Sequence, residues 1–238
     1  MVDIATPEFL AKLKDLYPAP NPWWILVLSA FSTGNRPDAV PLLFQSVLSE
    51  LERAQEKFNV TGEEAHAEKL TLARKFRDTI LKSGMLSGYS KAINSLNSLH
   101  KIMPKELQDT RPLRDTSVTT DEYEKRGQEF FKALYGDTAE GVQSLLDSIM
   151  PDMGKNAFKL VAYGCVYGFL EYTDQLETSY TLVGSLIAGD TPLQINWHLN
   201  NARRGGATLD QARAAREIAI EAARSTGVIW KNQIPEVN

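Results

Sequence analysis

The residue types that most often carry chemistry are scarce in this sequence. The chain has three histidines and one cysteine among its 238 residues. A single cysteine cannot close an internal disulfide, and His66, His100 and His198 do not have the spacing of a metal motif such as His-Glu-x-x-His. Glycine-rich phosphate loops and Gly-x-Ser-x-Gly motifs are also absent from the sequence. We therefore predict no bound metal and no cofactor.

His198 is the best candidate for acid–base chemistry, because a neutral imidazole can move a proton near pH 7. It follows Trp197 in a helix whose start is marked by Thr191 and Pro192. Residues four apart share one face of a helix, so Gln194 would lie beside the imidazole ring. The alternative is a structural histidine that is bonded to a backbone carbonyl.

Two tyrosines four residues apart, Tyr163 and Tyr167, share one face of another predicted helix. Their hydroxyl groups could donate hydrogen bonds to a ligand in a pocket. Aromatic packing in the core explains the same spacing equally well, so both interpretations stay open.

The elements that must position these residues are helices. Capping boxes begin at Thr119, Thr191 and Thr208, and each has Glu or Gln three residues later. Glycines end many of the helical patterns, and alternating strand patterns are nearly absent. The fold class is therefore all-α. The helices are expected near residues 7–16, 22–33, 37–48, 72–87, 91–103, 120–135, 138–150, 156–169, 176–188, 192–204 and 209–226. Residues 50–70 are expected to form a helix extension followed by an exposed loop.

Two stretches of the chain repeat. A shift of 155 residues lays 21–44 on 176–199, and a shift of 139 lays 73–88 on 212–227. The second match pairs Arg74 with Arg213 and Arg77 with Arg216; chance similarity is the alternative. We predict a single all-α domain over 1–238, with repeat 1 at about 20–103, a linker at about 104–118 and repeat 2 at about 119–232.

Composition excludes several classes of partner. The net charge is −4, with 26 basic and 30 acidic residues, so no basic excess favours nucleic acid or a membrane surface. The longest apolar run, at 23–28, is far shorter than the roughly 20 residues of a membrane span. No targeting segment is evident, and we expect a cytoplasmic protein.

The segment from Glu177 to Thr208, with His198 at its centre, resembles the core of the carboxymuconolactone decarboxylase/alkylhydroperoxidase D family. Arg126-Gly127 and the run from Tyr163 to Gly168 resemble upstream motifs of that family, so the likeness covers about 119–228. It implies an all-α fold, usually oligomeric, in which Glu177 is the carboxylate partner of His198. A helix N-terminal charge is the alternative role for Glu177.

The chain departs from the peroxidases of that family. They carry cysteines seven and four residues before the histidine, where this sequence has Thr191 and Gln194. Thiol peroxidase chemistry needs a reactive thiolate and a resolving thiol, and Cys165 is alone on another helix. The resemblance therefore implies the decarboxylase branch and not a thiol peroxidase.

The expected function is a carboxymuconolactone decarboxylase-like enzyme, without a cofactor, that catalyses a lyase, decarboxylase or isomerase step on a small organic acid, lactone or enolisable carbonyl compound. The alternative is a non-catalytic helical binding or scaffold protein on the same fold. We expect a homo-oligomer with a small-molecule substrate and no nucleic acid or membrane partner.

The predicted catalytic residues are His198 and Glu177, in a pocket between helices 156–169, 177–188 and 192–204. The predicted substrate-binding residues are Tyr163, Tyr167, Gln194 and Trp197.

Overall fold

The computed structural model describes residues 4–17 and 22–237. Within those ranges the chain forms ten α-helices, one π-helix and two short 3-10 turns, and it has no strand. The all-α prediction is confirmed. The α-helices are α1 (Pro7–Asp15), α2 (Trp23–Thr33), α3 (Ala39–Phe58), α4 (Gly62–Ser87), α5 (Tyr89–Ile102), α6 (Thr120–Tyr135), α7 (Ala139–Ile149), α8 (Gln175–Ala188), α9 (Pro192–Arg204) and α10 (Leu209–Ser225). The π-helix spans Met153–Tyr167 and lies between α7 and α8.

Side-chain caps fix several helix starts. The boxes at Thr119 and Thr208 form as predicted. The box expected at Thr191 does not, because the Thr191 hydroxyl donates to the carbonyl oxygen of Leu186 at 3.2 Å instead. Asp174, which the sequence pattern did not single out, caps α8 in a reciprocal box with Glu177.

The prediction of an exposed loop within residues 50–70 is wrong, because α4 begins at Gly62 and runs for 26 residues. The only break between α3 and α4 is at 59–61, where Asn59 adopts a left-handed conformation with φ of 55°. The charged residues that suggested a loop instead lie along the exposed first turns of α4. The high content of charged residues in this stretch therefore indicated exposure to solvent, but it did not indicate that the stretch lacks a helix.

The core is organised around α2 and α8, which pack on each other and each on α4 and α10. All eleven residues of α2 are buried, as its apolar composition requires. Gly184 permits the close approach of α8, because a Cβ at this position would lie 2.1 Å from the Ser29 hydroxyl and 2.6 Å from the Leu26 carbonyl oxygen. This arrangement is of the kind that a duplicated helical unit would give, and the duplication stays a prediction.

A second group consists of α6, α7 and the π-helix. Gly127 and Gly164 bring the backbones of α6 and the π-helix into contact, since a Cβ on Gly127 would lie 1.8 Å from the Lys159 carbonyl oxygen. The group joins the core through contacts of α6 with α9 and of the π-helix with α4. Across the described residues, none of the helices has the length and apolar character that crossing a bilayer requires.

Candidate functional site

His198 lies in a buried polar cluster between α6, α9 and the π-helix. Its Nε2 atom is 3.2 Å from the Tyr135 hydroxyl, which also accepts a hydrogen bond of 3.2 Å from Tyr163. Its Nδ1 atom is 3.4 Å from the amide nitrogen of Asn201. If Asn201 donates to Nδ1, the neutral ring carries its proton on Nε2 and donates to Tyr135. We call Tyr135, Tyr163, His198 and Asn201 the His198 cluster.

The electrostatics of the His198 cluster favour neutral groups. The His198 side chain is almost completely buried, and burial lowers its pKa to about 3. Burial likewise raises the pKa of Tyr135 to about 12 and the pKa of Tyr163 well above its usual value. Both imidazole nitrogens already have protein partners, so the cluster stabilises its own polar groups and exchanges few protons near pH 7.

The predicted site residues lie in two places: Glu177 lies in a different cavity, and the others lie in or near the His198 cluster. Tyr163 belongs to the His198 cluster, Tyr167 packs on Tyr163 with ring centroids 5.3 Å apart, and Trp197 packs on Tyr135 at 6.2 Å. Gln194 is half-buried on the same helix as the histidine. The roles assigned to these residues stay predictions.

Glu177 does not join the His198 cluster. One oxygen of its carboxylate accepts the Asp174 backbone N–H at 3.0 Å, as a capping box requires. The other forms an ion pair with Lys75 of α4 at 2.5 Å. The structure therefore places this carboxylate at the mouth of a different cavity.

That cavity is a groove of about 1010 Å³ between α1, α2, α3, α4 and the N-terminal ends of α8 and α10. Its floor is apolar and includes the tryptophans Trp23 and Trp24. The apolar lining residues are Tyr17, Pro22, Trp23, Trp24, Val47, Leu51, Ala67, Leu72 and Leu176. Large cavities with an apolar floor and a few converging polar groups are the usual form of a small-molecule site.

The rim of this groove is acidic. Five carboxylates and two ammonium groups line it, namely those of Glu50, Glu64, Glu68, Asp174, Glu177, Lys14 and Lys75. Each lysine is paired, Lys14 with Glu50 at 2.9 Å and Lys75 with Glu177. Three negative charges are left without a cationic partner among the lining residues. We refer to this cavity as the acidic groove.

A buried lysine holds the wall of the acidic groove in place. Lys82, on α4 two turns after Lys75, donates to the hydroxyls of Thr173 and Thr178 at 2.6 and 2.9 Å and to the Phe169 carbonyl at 2.9 Å. It also pairs with Asp78 at 3.1 Å. Burial lowers its pKa to about 8, against the raising effect of Asp78. These bonds fix the segment that leads into α8, including the two groove carboxylates there.

Sequence reasoning missed the residues that build both sites. Asn201 and Tyr135 complete the His198 cluster, and the (i, i+3) spacing from His198 was a signal for Asn201. Lys75 lies between Arg74 and Arg77 of the repeated segment, and its position there gave no signal of a pairing with Glu177. Lys82 follows Asp78 by four residues, which signals a helical ion pair but not its burial. In the part of the chain that the structure describes, no three His, Cys, Asp or Glu side chains are grouped as a metal site requires.

Comparison with known proteins gives two relatives over nearly the whole chain. Peroxisomal protein 2 of Schizosaccharomyces pombe is 29% identical over 216 residues, which cover 90% of this chain and 92% of that protein. Peroxisomal protein 2 of Saccharomyces cerevisiae is 25% identical over 281 aligned positions, which cover 98% of this chain and 99% of that protein. No family model matches the chain, and no solved structure matches it significantly.

These relatives correct three predictions from the sequence. The assignment to the carboxymuconolactone decarboxylase/alkylhydroperoxidase D family is wrong, because the relatives carry a different name and no family model supports it. The decarboxylase-like lyase function fails with it. The expected cytoplasmic location is wrong as well, because the relatives are named as peroxisomal proteins. The short motifs around His198 gave a likeness that the comparison of the whole chain does not support.

Proposed function

We propose that this chain is a peroxisomal protein that binds a small organic cation in the acidic groove. The observation that carries the proposal is the excess of three carboxylates over an aromatic, apolar floor in the acidic groove. A cation with an apolar part gains from both, because carboxylates attract positive charge while the floor removes hydrocarbon from water. The peroxisomal location rests on the names of the two relatives.

Glu177 offers a clean test of binding. Gln also serves at the third position of a capping box, so Glu177→Gln keeps the cap of α8 and removes only the charge. Glu122→Gln is the matched control, because Glu122 holds the same position in the capping box of α6. Glu122 lies far from Glu177 in the sequence and is fully exposed. The probes are n-hexylamine and n-hexanol, which have the same chain but differ in charge at neutral pH.

We expect n-hexylamine to raise the melting temperature of the protein and n-hexanol to leave it nearly unchanged. At ten times its dissociation constant a ligand stabilises by about 1.4 kcal/mol. Glu177→Gln should weaken amine binding by about tenfold, because it removes a charged acceptor and leaves Lys75 as an unpaired cation in the groove. Equal shifts with amine and alcohol, or equal loss in the Glu122 control, would refute the proposal.

The location has its own test. The chain fused to a fluorescent protein at its N-terminus should co-localise with a peroxisomal marker in fungal cells. The N-terminal fusion leaves the C-terminal residues free, where one common peroxisomal address is read. Uniform cytosolic fluorescence would contradict the location and leave the binding proposal standing.

We also propose that the protein is an enzyme whose proton transfers use the acidic groove. Lys75 and Glu177 form the shortest ion pair among the residues that line the groove, and general acid–base catalysis requires such positioned groups. A wild-type protein incubated with a fungal metabolite extract should deplete an amine that Glu177→Gln spares, as followed by mass spectrometry. If neither protein depletes any metabolite, the groove binds its ligand without turnover.

Self-association is the remaining proposal. Four large apolar side chains are exposed along the end of α7 and the start of the π-helix: Leu145, Ile149, Met150 and Met153. Exposed apolar patches of this kind often mark contacts between protein copies. Light scattering should give a multiple of 26.5 kDa for the wild type and a lower mass for Ile149→Glu. A mass of one chain for the wild type would contradict self-association.

A further inference from the structure

A second cavity lies beside α4 and is rich in arginine. It has a volume of about 260 Å³, and Arg74, Arg77, Arg111 and Arg114 line it together with Asp78 and Asp109. The four guanidinium groups exceed the two carboxylates by two positive charges. Buried Lys82 shares Asp78 and adds to this excess. We call this cavity the arginine pocket.

The two carboxylates do not satisfy the four arginines. Asp109 accepts two hydrogen bonds from Arg74, at 3.0 and 2.8 Å, and Asp78 accepts one from Arg114 at 2.6 Å. Arg77 forms an ion pair with Asp109 at 2.7 Å through Nη2, and its Nε atom is buried without a hydrogen-bond partner. Arg111 is exposed, with no ion pair to any residue that the structure describes. Donors are therefore left over for an acceptor from outside the chain.

Arg216, which the repeat aligns with Arg77, shows what such an acceptor looks like. Its guanidinium donates to the carbonyl oxygens of Ile234 and Pro235, at 3.0 and 2.6 Å, and to the Glu236 carboxylate at 2.8 Å. The C-terminal segment thus supplies oxygen acceptors and a negative charge to this arginine. At Arg77 the Asp109 carboxylate supplies the negative charge, but no backbone carbonyl oxygen of the described residues accepts from its guanidinium.

An apolar cavity of about 360 Å³ adjoins the arginine pocket, since Arg77 and Leu96 line both. Its other main walls are Ile93, Leu99 and Met103, on or just after α5. We call it the tail groove. A cationic pocket that opens into an apolar groove matches a molecule with an anionic head and a hydrocarbon tail.

We propose that the arginine pocket binds the oxyanion head, carboxylate or phosphate, of a small organic anion whose apolar tail lies in the tail groove. Guanidinium groups bind both oxyanions through paired, charge-assisted hydrogen bonds. Arg111 and the Nε atom of Arg77 supply the free donors, and Arg74 and Arg114 are held in place by their aspartates. This site is separate from the acidic groove, and neither proposal depends on the other.

Calorimetric titration with sodium octanoate, sodium acetate, octyl phosphate and 1-octanol tests the site. The variants are Arg111→Gln, which alters an exposed side chain, and Ile93→Ser, at a residue that is 61% exposed. Their matched controls are Arg213→Gln on the exposed face of α10 and Ile229→Ser, at a residue that is 88% exposed. All four substitutions lie at the surface and should keep the fold.

We expect octanoate to bind at least tenfold more tightly than acetate and than 1-octanol, since only octanoate has both head and tail. Arg111→Gln should weaken octanoate binding by about tenfold, because a charge-assisted hydrogen bond is lost. Ile93→Ser should weaken octanoate and leave acetate unchanged, and both controls should bind as the wild type does. Tighter binding of octyl phosphate than of octanoate supports a phosphate head, and the reverse order supports a carboxylate head.

Three outcomes would overturn the proposal: no binding of octanoate or octyl phosphate at millimolar concentration, equal affinity for octanoate and 1-octanol, or an equal loss of affinity in Arg213→Gln. Glu177→Gln should leave octanoate binding unchanged. An effect of Glu177→Gln on octanoate would place that ligand in the acidic groove and not in the arginine pocket.

Discussion

The His198 cluster and the acidic groove both contain ionisable side chains, but the first is closed and neutral and the second is open and charged. In the His198 cluster, a histidine and two tyrosines satisfy one another in a buried site, and burial keeps all three rings neutral. In the acidic groove, carboxylates line an open cavity with more negative than positive charge. Residue type thus identifies the side chains that are capable of binding or proton transfer. Access to a ligand decides which of those side chains are available for it.

The largest expected effect concerns the buried charge that holds the groove wall. Lys82→Met should lower the free energy of unfolding by about 3 kcal/mol, because it removes the buried ammonium group that donates to the hydroxyls of Thr173 and Thr178. Asp78 loses one of its two cationic partners and keeps the other, Arg114. Urea denaturation of Lys82→Met, with the exposed Lys101→Met as control, measures this. Equal stability of the two variants would mean that the wall of the acidic groove is held by other contacts.

A pH-dependent measurement tests whether the His198 cluster is closed. The pKa of His198 is about 3 in the folded chain and near 6.5 in the unfolded chain, so the unfolded state alone gains a proton between these values. Stability from the neutral ring is complete above pH 6.5 and is lost as the pH falls toward 3. From pH 7 to pH 5 the wild type should lose about 2 kcal/mol more than His198→Gln.

Because carboxylates titrate alike in both proteins, the difference between them isolates the histidine. Parallel losses of stability in wild type and His198→Gln would show that the ring is protonated in the folded chain. The His198 cluster would then be open to water, and the contrast with the acidic groove would fail.

The smallest effect concerns a single hydroxyl in the His198 cluster. Tyr135→Phe removes the oxygen that links His198 and Tyr163, and should cost about 1 kcal/mol, or a melting temperature about 2–4 °C lower. Tyr89→Phe, at a half-exposed tyrosine, is the control and should change little. Amine binding in the acidic groove should be the same in both variants, since neither tyrosine lines that cavity.

Much of the fold follows from local signals in the sequence. The caps at Thr119 and Thr208 and the apolar run of α2 fix helices to within about two residues. The box at Thr191 fails because a closer backbone acceptor, the Leu186 carbonyl oxygen, captures its hydroxyl. That acceptor comes from the end of α8, so the outcome depends on how two helices meet.

The candidate site was less predictable, because its groups come from distant parts of the chain. Lys75 and Glu177 are 102 positions apart and meet only because α4 packs against α8. The predicted pairing of Glu177 with His198 assumed that a short turn brings the two side chains together. The capping box instead directs the carboxylate back toward its own helix start and outward to Lys75.

Fluorine NMR of protein labelled with 5-fluorotryptophan compares both regions in one experiment. The chain has four tryptophans: Trp23 and Trp24 on the floor of the acidic groove, Trp197 against Tyr135 of the His198 cluster, and Trp230 near the C-terminus. Single Trp→Phe variants assign the four signals. We predict that n-hexylamine moves the signals of Trp23 and Trp24 and leaves those of Trp197 and Trp230 in place. Movement of the Trp197 signal with stationary Trp23 and Trp24 signals would contradict the account, because it would put the ligand at the His198 cluster.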